Sequence, residues 1–492
     1  MLRILGSPKK LCDGMTRREL LRAGGLGLLG ALGGSSLRAE AVARPRSFGR
    51  AKSCILLYLY GAASQLEWCD PKPDAPVEVR GDLKSIQTTL PGAEVCELLP
   101  HTARVMDRVT VVRSLTHLYP VHGVAYALTG IPQTDVPLEL NPRDGRHWPF
   151  VGSVVDYLGR SARKPAGSVP DNIALPFPFS SQRSGEVPRS GPYAAFLGGA
   201  YNPVWTTFRG KATRSVVKTL QQNREEVWDP YLGVGPEGRF EIATTELPAE
   251  ITLDRLDRRR SLVEQFDQAR HDLAETSAGR SHDRFREMAY SVMGSEKIRT
   301  ALDLGRESDR LRETYGMSLF GQGALAARRL VEAGSRFVSV FWDEYGLAGS
   351  GWDTHWDHYP RLKNELLPGL DRAFSGLVQD LDSRGLLDET LVLCVTEHGR
   401  TPKLNTSNGG GRDHWSQAYS GMFAGGGIAR GKVVGKTDKQ AGGVVDRPVS
   451  PKDILATTYH LLGIDPHTAI ADRSNRPVPL VPTGSVVAEM LG

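Results

Sequence analysis

Long apolar segments are scarce in this sequence. Beyond its first forty-odd residues, the 492-residue chain has no run that approaches the ~20 apolar residues of a membrane-spanning helix. Hydrophobic residues make up 40% of the chain and charged residues 24%. This composition excludes a disordered or membrane-embedded protein and predicts a globular one, long enough to bury a large core.

A strong excess of basic charge is also absent once the N-terminus is set apart. The chain has 61 Lys and Arg against 56 Asp and Glu, and residues 1–41 hold 7 of the basic and 3 of the acidic groups. The remainder has 54 basic and 53 acidic groups, a net charge of +1. This balance argues against a nucleic-acid-binding surface, so no nucleic-acid partner is expected.

Cysteine is rare, with five residues in all and no CxxC spacing, which argues against a cysteine metal site. Cys54 and Cys394 lie in apolar runs and are predicted to be buried small hydrophobic residues. Cys69 and Cys96 lie in predicted loops, where they can pair if the protein reaches an oxidising compartment.

The N-terminal segment has the features of an export signal. Arg17 and Arg18 precede a glycine-rich apolar run, "AGGLGLLGALGGSSL", and Ala39-Glu40-Ala41 has the small-x-small pattern of a cleavage site. We interpret residues 1–43 as a twin-arginine leader and expect a periplasmic or extracellular protein with no membrane span after leader removal. The alternative is a retained anchor, which so short and glycine-rich a run does not favour.

Five short apolar runs are predicted to be buried strands: "CILLYLY" (54–60), "RVTVVRS" (108–114), "SRFVSVFW" (335–342), "TLVLCVTE" (390–397) and "YSGMFAGG" (419–426). Their near-continuous apolarity is typical of a parallel sheet covered on both faces. Helical patterns alternate with them, so we predict one doubly wound, mainly parallel α/β domain over residues 44–492. A charge-rich helical insertion is expected at about 250–330, and long loops at 131–250.

Acidic residues and histidines cluster next to these strands, at "GWDTHWDHY" (351–359), "TEHGR" (396–400) and "GGGRDH" (409–414). Because ligands gather beyond the carboxyl ends of parallel strands, we expect these side chains to converge on one rim of the sheet. The candidate metal ligands are Glu67, Asp353, His355, Asp357, His358, Glu397, His398, Asp413 and His414.

Such crowding of carboxylates and imidazoles predicts a metal site, because a cation makes their close packing tolerable. The ligand types suit one or two divalent ions, such as zinc, manganese, magnesium or calcium. The alternative is that each His-Asp pair is an ordinary surface turn. Arg400 and Arg412 have planar guanidinium groups that can form paired hydrogen bonds to a phosphate, sulfate or carboxylate. The alternative is that they form salt bridges to the acidic ligands.

A series of motifs runs along the chain in this order: "LLYLYGAASQLEWCDPKPDAP", "VVRSLTH", "YGMSLFGQGALAARRLVEAGSRFVSV", "GWDTH", "TEHGRTP" and "GGRDHW". From about residue 50 to the C-terminus, the series resembles the family called domain of unknown function 1501, which is related to the alkaline phosphatase and sulfatase superfamily. The resemblance implies an alkaline-phosphatase-like sheet with helices on both faces and a one- or two-metal site.

The resemblance also implies roles for particular residues. Glu397 and His398 occupy the place of the superfamily's metal-binding Asp-His pair, and His414 is similar to its later metal-binding histidine. Asp353, with His355 or His358, resembles the Asp and His pair that precedes it.

Two departures from the superfamily pattern concern chemistry. The usual metal-binding Asp directly after the first strand is missing, which leaves Gln65 or Glu67 as a substitute. No Ser, Thr or Cys stands in register as a nucleophile, since the chain reads "YPVHG" at 119–123. Thr116, Ser114 or a metal-bound water would then have to serve.

Two functions remain open at the level of sequence. The first is an exported metal-dependent hydrolase of phosphate or sulfate esters on a small molecule or glycan, with His122 or His117 carrying a proton. The second is an exported, non-catalytic module that keeps the fold, lacks the nucleophile and binds a glycan or envelope partner.

Overall fold

The computed structural model describes residues 45–119, 122, 124–130, 140–142, 144, 146–159, 169–184, 189–220, 223–242, 284, 288–289, 292, 295–347, 351–406, 409–472 and 474–492. The chain divides into two compact units, residues 1–46 and residues 47–492. The predicted leader falls outside the described residues, which belong almost entirely to the second unit.

An eight-stranded sheet forms the centre of this unit. In chain order its strands are β1 (Ser53–Leu59), β2 (Val109–Leu115), β3 (Asn172–Leu175), β4 (Val204–Trp205), β5 (Phe337–Trp342), β6 (Thr390–Val395), β7 (Tyr419–Ala424) and β8 (Lys432–Val434). Across the sheet the order is β8-β2-β7-β6-β1-β5-β3-β4. Strand β1 is therefore central, and it pairs in parallel with β5 on one side and β6 on the other.

Strand β7 runs against its neighbours. It is antiparallel to both β6 and β2, whereas the other pairings in the sheet, β5 with β3, β3 with β4 and β8 with β2, are parallel. Its first residue, Tyr419, lies beside Leu115, the last residue of β2. The segment that precedes β7 therefore reaches the edge of the sheet where the parallel strands end.

Helices cover both faces of the sheet. Those described are α1 (Val77–Arg80), α2 (Pro100–Ala103), α3 (Val124–Thr129), α4 (Val151–Leu158), α5 (Glu296–Leu302), α6 (Asp309–Tyr315), α7 (Leu319–Glu332), α8 (His358–Arg361), α9 (Leu367–Ser383) and α10 (Pro451–Leu461). Helix α10 begins as its sequence predicts, because Ser450 and Asp453 form a capping box and Pro451 occupies the first helical position.

The two faces of β1 contribute to two separate cores. Ile55 and Leu57 pack with residues of α7 and α9, whereas Cys54 and Leu56 pack with residues of α4 and α10. All seven residues of β1 are buried, which explains why its sequence is apolar throughout and does not alternate. The predicted α/β class, with a mainly parallel sheet between two helical layers, is confirmed.

Smaller two-stranded sheets surround this core. They pair Ser85–Gln87 with Glu94–Cys96, Arg183–Ser184 with Gly346–Leu347, Thr207–Arg209 with Arg239–Glu241, Ser215–Leu220 with Asn223–Trp228, Gly399–Arg400 with His414–Trp415, Lys436–Thr437 with Val444–Asp446, and Ala469–Ala471 with Pro477–Pro479.

The five predicted strands are all present, but the segment expected to form long loops, 131–250, is more ordered than its sequence indicated. It contains β3, β4 and several strands of the smaller sheets. Strands of two to four residues are too short for an apolar run or an alternation to be recognised. Of the predicted helical insertion, helices α5, α6 and α7 lie within the described part of the chain, and most of 250–294 lies outside it.

The four cysteines of this unit are buried and carry free thiols. Cys54 and Cys394 lie within β1 and β6 as predicted, and the possible bond between Cys69 and Cys96 is not formed. None of the helices within the described ranges combines the length and apolarity that a bilayer crossing requires.

Candidate metal centre

Side chains from four strand ends meet at one edge of the sheet. Strand β5 is followed by Asp353, β6 by His398, and β2 by His122, and the antiparallel β7 is preceded by His414. Arg400 pairs with His414 across a short antiparallel ladder, which brings the segments after β6 and before β7 together.

One ring nitrogen from each of His122, His398 and His414 lies within 4.8 Å of the others. A second set with the same spacing consists of Asp353, His355 and His414. His414 belongs to both sets, so the two form one continuous cluster, here called the histidine cluster (His122, Asp353, His355, His398 and His414).

His398 has an unsatisfied nitrogen in this cluster. Its Nδ1 lies 2.8 Å from the carbonyl oxygen of Gly399, so Nδ1 carries the proton and Nε2 presents a lone pair. That Nε2 is buried and has no hydrogen-bond partner among the described residues. Burial, and then the neighbouring His122, hold the pKa of His398 well below its usual range, so the ring is neutral. A backbone-oriented, neutral imidazole is the form that binds a metal ion.

His122 lies between two carboxylates. Its Nδ1 is 3.0 Å from Glu397 Oε1, and its Nε2 is 3.3 Å from Asp353 Oδ2. Burial opposes protonation, but Asp353 and Glu397 outweigh it and raise the pKa of His122 to about 10 when no ion is present.

The separations within the cluster suit a shared divalent ion. Bonds of about 2.1 Å in a tetrahedral zinc site place the ligand atoms roughly 3.4 Å apart. Asp353 Oδ2 lies 3.3 Å from His122 Nε2, and Asp353 Oδ1 lies 3.4 Å from His414 Nε2. Together with the lone pair of His398, these atoms form a three-nitrogen, one-carboxylate donor set, so the residues present fit the predicted ion.

Glu397 lies next to the histidine cluster and is hydrogen-bonded to His122. Its Oε1 accepts hydrogen bonds from the Gly61 amide at 2.8 Å and from His122, and its Oε2 accepts from the Thr396 hydroxyl at 3.0 Å. Burial would raise the pKa of Glu397, but the bond to His122 lowers it. Both oxygens of this carboxylate are engaged by protein donors, and one of them holds the ring of His122, while the ligand role that the resemblance implies stays a prediction.

Arg400 is buried and fully engaged with the protein. It forms a salt bridge to Asp353, donates to the carbonyl oxygens of Ala62 and Arg412 at 3.0 Å each, and also bonds to Gly61. Burial would raise the pKa of Asp353, but Arg400 and then His122 hold it well below its usual range. The geometry supports the salt-bridge alternative for Arg400 over an oxyanion grip.

Glu67, His358 and Arg412 form a second buried cluster, separate from the two metal-compatible sets. Glu67 Oε1 accepts from Arg412 Nε at 3.0 Å, and Glu67 Oε2 lies 3.4 Å from His358 Nε2. Burial would raise the pKa of Glu67, but Arg412 and His358 lower it to about 2. Arg412 also donates to the carbonyl oxygens of Val79 and Thr401, so it too has the salt-bridge role.

His355 and Asp413 lie on the solvent side of the site. His355 Nδ1 is 2.8 Å from Asp413 Oδ1, and His355 Nε2 is 3.1 Å from Asp353 Oδ1. Asp413 is 56% exposed, whereas His355 is 22% exposed. This pair connects the buried cluster to water. Asp357, another predicted ligand, is the left-handed residue that precedes α8, with φ of 48°.

Three of the remaining sequence candidates contact the backbone, whereas the hydroxyl of the fourth, Ser114, is buried without a hydrogen-bond partner among the described residues. Thr116 donates its hydroxyl to the Ser416 carbonyl oxygen at 3.5 Å. His117 uses both ring nitrogens, since Nε2 bonds to the Glu397 carbonyl oxygen at 2.8 Å and Nδ1 accepts from the Tyr119 amide at 3.1 Å. Gln65 exchanges two hydrogen bonds with the backbone of Arg400. These contacts assign Thr116, His117 and Gln65 structural positions beside the site.

Sequence reasoning missed two threonines. The Thr354 hydroxyl is hydrogen-bonded to His358 Nδ1, and the Thr396 hydroxyl shares its one proton between the Leu59 carbonyl oxygen at 2.8 Å and Glu397 Oε2 at 3.0 Å. Their position next to predicted ligands could have identified them, because Thr354 lies between Asp353 and His355 and Thr396 precedes Glu397.

Comparison with known proteins gives one family match. The family described as "Protein of unknown function (DUF1501)" matches residues 51–491, which agrees with the resemblance inferred from the motifs. No curated protein matches the sequence.

Several solved structures have a partial likeness to this chain. The PsFucS1 sulfatase from Pseudoalteromonas sp. is 12% identical, with a TM-score of 0.36 over 93% of this chain and 73% of that one. Ps i-CgsB in complex with k-i-k-neocarrahexaose is 13% identical, with a TM-score of 0.34 over 84% and 72%. A Bacteroides thetaiotaomicron protein (BT33494S-sulf), from work on the metabolism of multiple glycosaminoglycans, is 12% identical, with a TM-score of 0.34 over 83% and 72%.

Proposed function

The chain belongs to the DUF1501 family, and on that premise we propose that it is an exported, metal-dependent hydrolase of phosphate or sulfate esters carried by a small molecule or glycan. The observation that carries the proposal is the lone pair of His398, buried without a partner among the described residues, in a ring that lies with those of His122 and His414 in one metal-compatible set. The ester class follows from the resemblance of the motifs to the alkaline phosphatase and sulfatase superfamily.

The ion would be held by Asp353, His122, His398 and His414. It would supply Lewis acidity toward an ester oxygen and lower the pKa of an attacking water. Arg400 keeps Asp353 ionised and oriented, and Glu397 fixes the ring of His122. These two residues would therefore preorganise the donor set before the ion arrives.

Water is the nucleophile that this geometry favours. The hydroxyls of Thr354 and Thr396 are already hydrogen-bonded to site residues, and that of Thr116 donates to a backbone carbonyl oxygen. We assign proton transfer to His355, because Asp413 orients its Nδ1 and the pair is open to solvent. His117 and His122 are less suited to that role, since both are buried at 8% exposure, whereas His355 is 22% exposed.

The test combines metal analysis with activity assays. Untagged protein purified without chelators is expected to contain at least one divalent ion per chain, and it should hydrolyse an aryl phosphate, a phosphodiester or an aryl sulfate. His398→Ala should lose both properties, whereas His467→Ala, an exposed histidine, should keep them. Protein that binds an ion but turns over none of the three ester classes above the His398→Ala background would refute the hydrolase.

A second candidate is a non-catalytic binding protein, favoured by one specific observation. The guanidinium groups of Arg400 and Arg412 are both buried and bonded to protein acceptors, so neither is available to a substrate oxyanion. Ion-dependent binding of a glycan without release of phosphate or sulfate would support this candidate over the hydrolase.

A further inference from the structure

A buried chain of polar side chains leads from Arg412 to the loop that carries Asp353. Arg412 donates to Glu67 Oε1 from Nε at 3.0 Å and from Nη2 at 2.5 Å. Glu67 Oε2 lies 3.4 Å from His358 Nε2, and His358 Nδ1 lies 2.7 Å from Thr354 Oγ1. Each of the four residues is no more than 2% exposed.

The direction of these hydrogen bonds follows from their chemistry. The contact between Glu67 Oε2 and His358 Nε2, at 3.4 Å, is electrostatic and lacks hydrogen-bond geometry, but a carboxylate at that distance would repel a lone pair and therefore favours the proton on Nε2. In the neutral ring Nδ1 is then an acceptor, and the Thr354 hydroxyl donates to it. The charge of Arg412 thus determines, through Glu67 and His358, how Thr354 is oriented.

The backbone of Thr354 is fixed by the same residues. Its carbonyl oxygen accepts from the Arg412 amide at 3.2 Å, and its own amide donates to the Trp352 carbonyl oxygen at 3.0 Å. The His358 amide donates to the Gly410 carbonyl oxygen at 3.1 Å. Backbone hydrogen bonds therefore join segments 352–358 and 410–412 around these polar side chains, immediately beside Asp353.

We propose that Glu67, His358 and Thr354 form a positioning relay that sets the affinity of the histidine cluster for its divalent ion. The inference rests on the proposed ion site and reassigns Glu67 and His358, which the sequence suggested as ligands, to the support of Asp353. Groups that hydrogen-bond directly to a metal ligand typically contribute 10–100-fold to metal affinity, and the relay reaches Asp353 only through the adjacent residue Thr354, so its effect is expected at the low end of that range. The relay acts through Thr354, so it touches neither the ion nor the substrate.

A pair of substitutions at Thr354 tests the relay. Thr354→Val has nearly the shape of threonine but cannot donate to His358, whereas Thr354→Ser keeps the hydroxyl. Thr458→Val is the matched control, because Thr458 on α10 is equally buried and its hydroxyl also bonds within the protein. Metal affinity is measured by calorimetric titration of Mn²⁺ into metal-free protein, and ligand geometry by the visible absorption spectrum of the Co²⁺ form.

We expect Thr354→Val to bind Mn²⁺ about 10-fold more weakly than wild type and to have an altered Co²⁺ spectrum. Thr354→Ser should stay within about threefold of wild type, and Thr458→Val should be unchanged in both measurements. Should Thr354→Val fail to fold, His358→Gln, which keeps a donor toward Glu67 but loses the acceptor for Thr354, is expected to weaken Mn²⁺ binding to a similar degree.

Three results would overturn the relay. One is wild-type Mn²⁺ affinity in Thr354→Val or His358→Gln, and another is equal loss in Thr354→Val and Thr354→Ser. The third is wild-type protein that binds no divalent ion, which would also remove the proposed ion site. If wild type binds Mn²⁺ but hydrolyses no ester, the proposed activity fails while the relay is still decided by the titrations.

Discussion

The backbone of Asp353 passes directly over Gly61. A β-carbon at position 61 would lie 2.3 Å from the Asp353 amide nitrogen, and Gly61 has a φ of 107°. This close approach at the end of β1 explains why no aspartate stands there, because the segment that carries Asp353 occupies the space. Asp353 reaches the histidine cluster from the end of β5 instead.

Gly61→Ala is expected to destabilise the protein and weaken metal binding. Strain at positive φ costs about 1–3 kcal/mol, and the clash with the backbone adds about 1–3 kcal/mol. Gly334→Ala is the matched control, because Gly334 has a φ of 108° and nothing within 4 Å of the added β-carbon. The free energy of unfolding from denaturant titration should fall clearly further for Gly61→Ala. Equal losses would contradict the close approach.

Removing the guanidinium group of Arg400 beside Asp353 should lower the stability of the fold, by an amount that depends on whether a divalent ion is bound. Arg400→Met leaves Asp353, 17% exposed, with His122 but without its salt bridge to Arg400, and we expect a loss of about 1–3 kcal/mol in the metal-free protein. A divalent ion should recover part of that loss, because it replaces the missing positive charge. Thermal unfolding with and without Mn²⁺ measures both effects. A loss that Mn²⁺ does not reduce at saturation would argue against an ion at Asp353.

Bound metal should stabilise the folded protein through His398. An ion that binds only the folded state at 100 times its Kd adds about 2.7 kcal/mol to the free energy of unfolding. Wild type should therefore show a rising Tm with added Zn²⁺ or Mn²⁺, and His398→Gln should not. His467→Gln should behave as wild type. An identical rise in His398→Gln would exclude His398 as a ligand.

The buried Asp343 should give the free energy of unfolding a pH dependence that does not involve the metal. It is 2% exposed, and burial raises its pKa from 3.8 to about 7, although the amides of Ser180 and Glu344 donate to it. The folded state therefore keeps a proton between about pH 4 and 7 that the unfolded chain releases. Its contribution to stability is present below pH 4 and is lost as the pH rises through 7, by roughly 4 kcal/mol at most.

Asp343→Asn should remove that contribution to the pH dependence. Denaturant titrations of wild type and variant at pH 4, 5, 6, 7 and 8 give the difference in free energy of unfolding, which should change in favour of the variant as the pH rises. Asp74→Asn, at an exposed aspartate, serves as control. A difference that stays constant from pH 4 to 8 would show that Asp343 titrates normally.

The predicted leader can be tested without reference to the structure. Replacing Arg17 and Arg18 together by lysine should block export, because the paired arginines are the feature that the twin-arginine route reads. Arg22→Lys preserves the pair and should be exported normally. Cell fractionation and detection of the shortened mature chain give the result. Unchanged export of the double variant would rule out this route.

Much of the site was predictable because its residues are adjacent to predictable strands. Strands buried on both faces, such as β1 and β6, must be apolar throughout, so their sequences identify them. The polar residues that follow, such as Asp353 and His398, then stand out at their ends. The roles within the site were harder to predict, since Glu67 and His358 have ligand side chains but lie in a separate buried cluster.

The sequence by itself determined the α/β class, five of the central strands and most of the histidine cluster, because burial and ligand chemistry leave a local pattern of residue types. Strand direction leaves no such pattern. Only the tertiary structure decided that β7 is antiparallel, and this direction places His414 beside His398 when a parallel strand would have carried it to the opposite edge of the sheet. Pairing partners far apart in the chain set that choice, and no local segment records them.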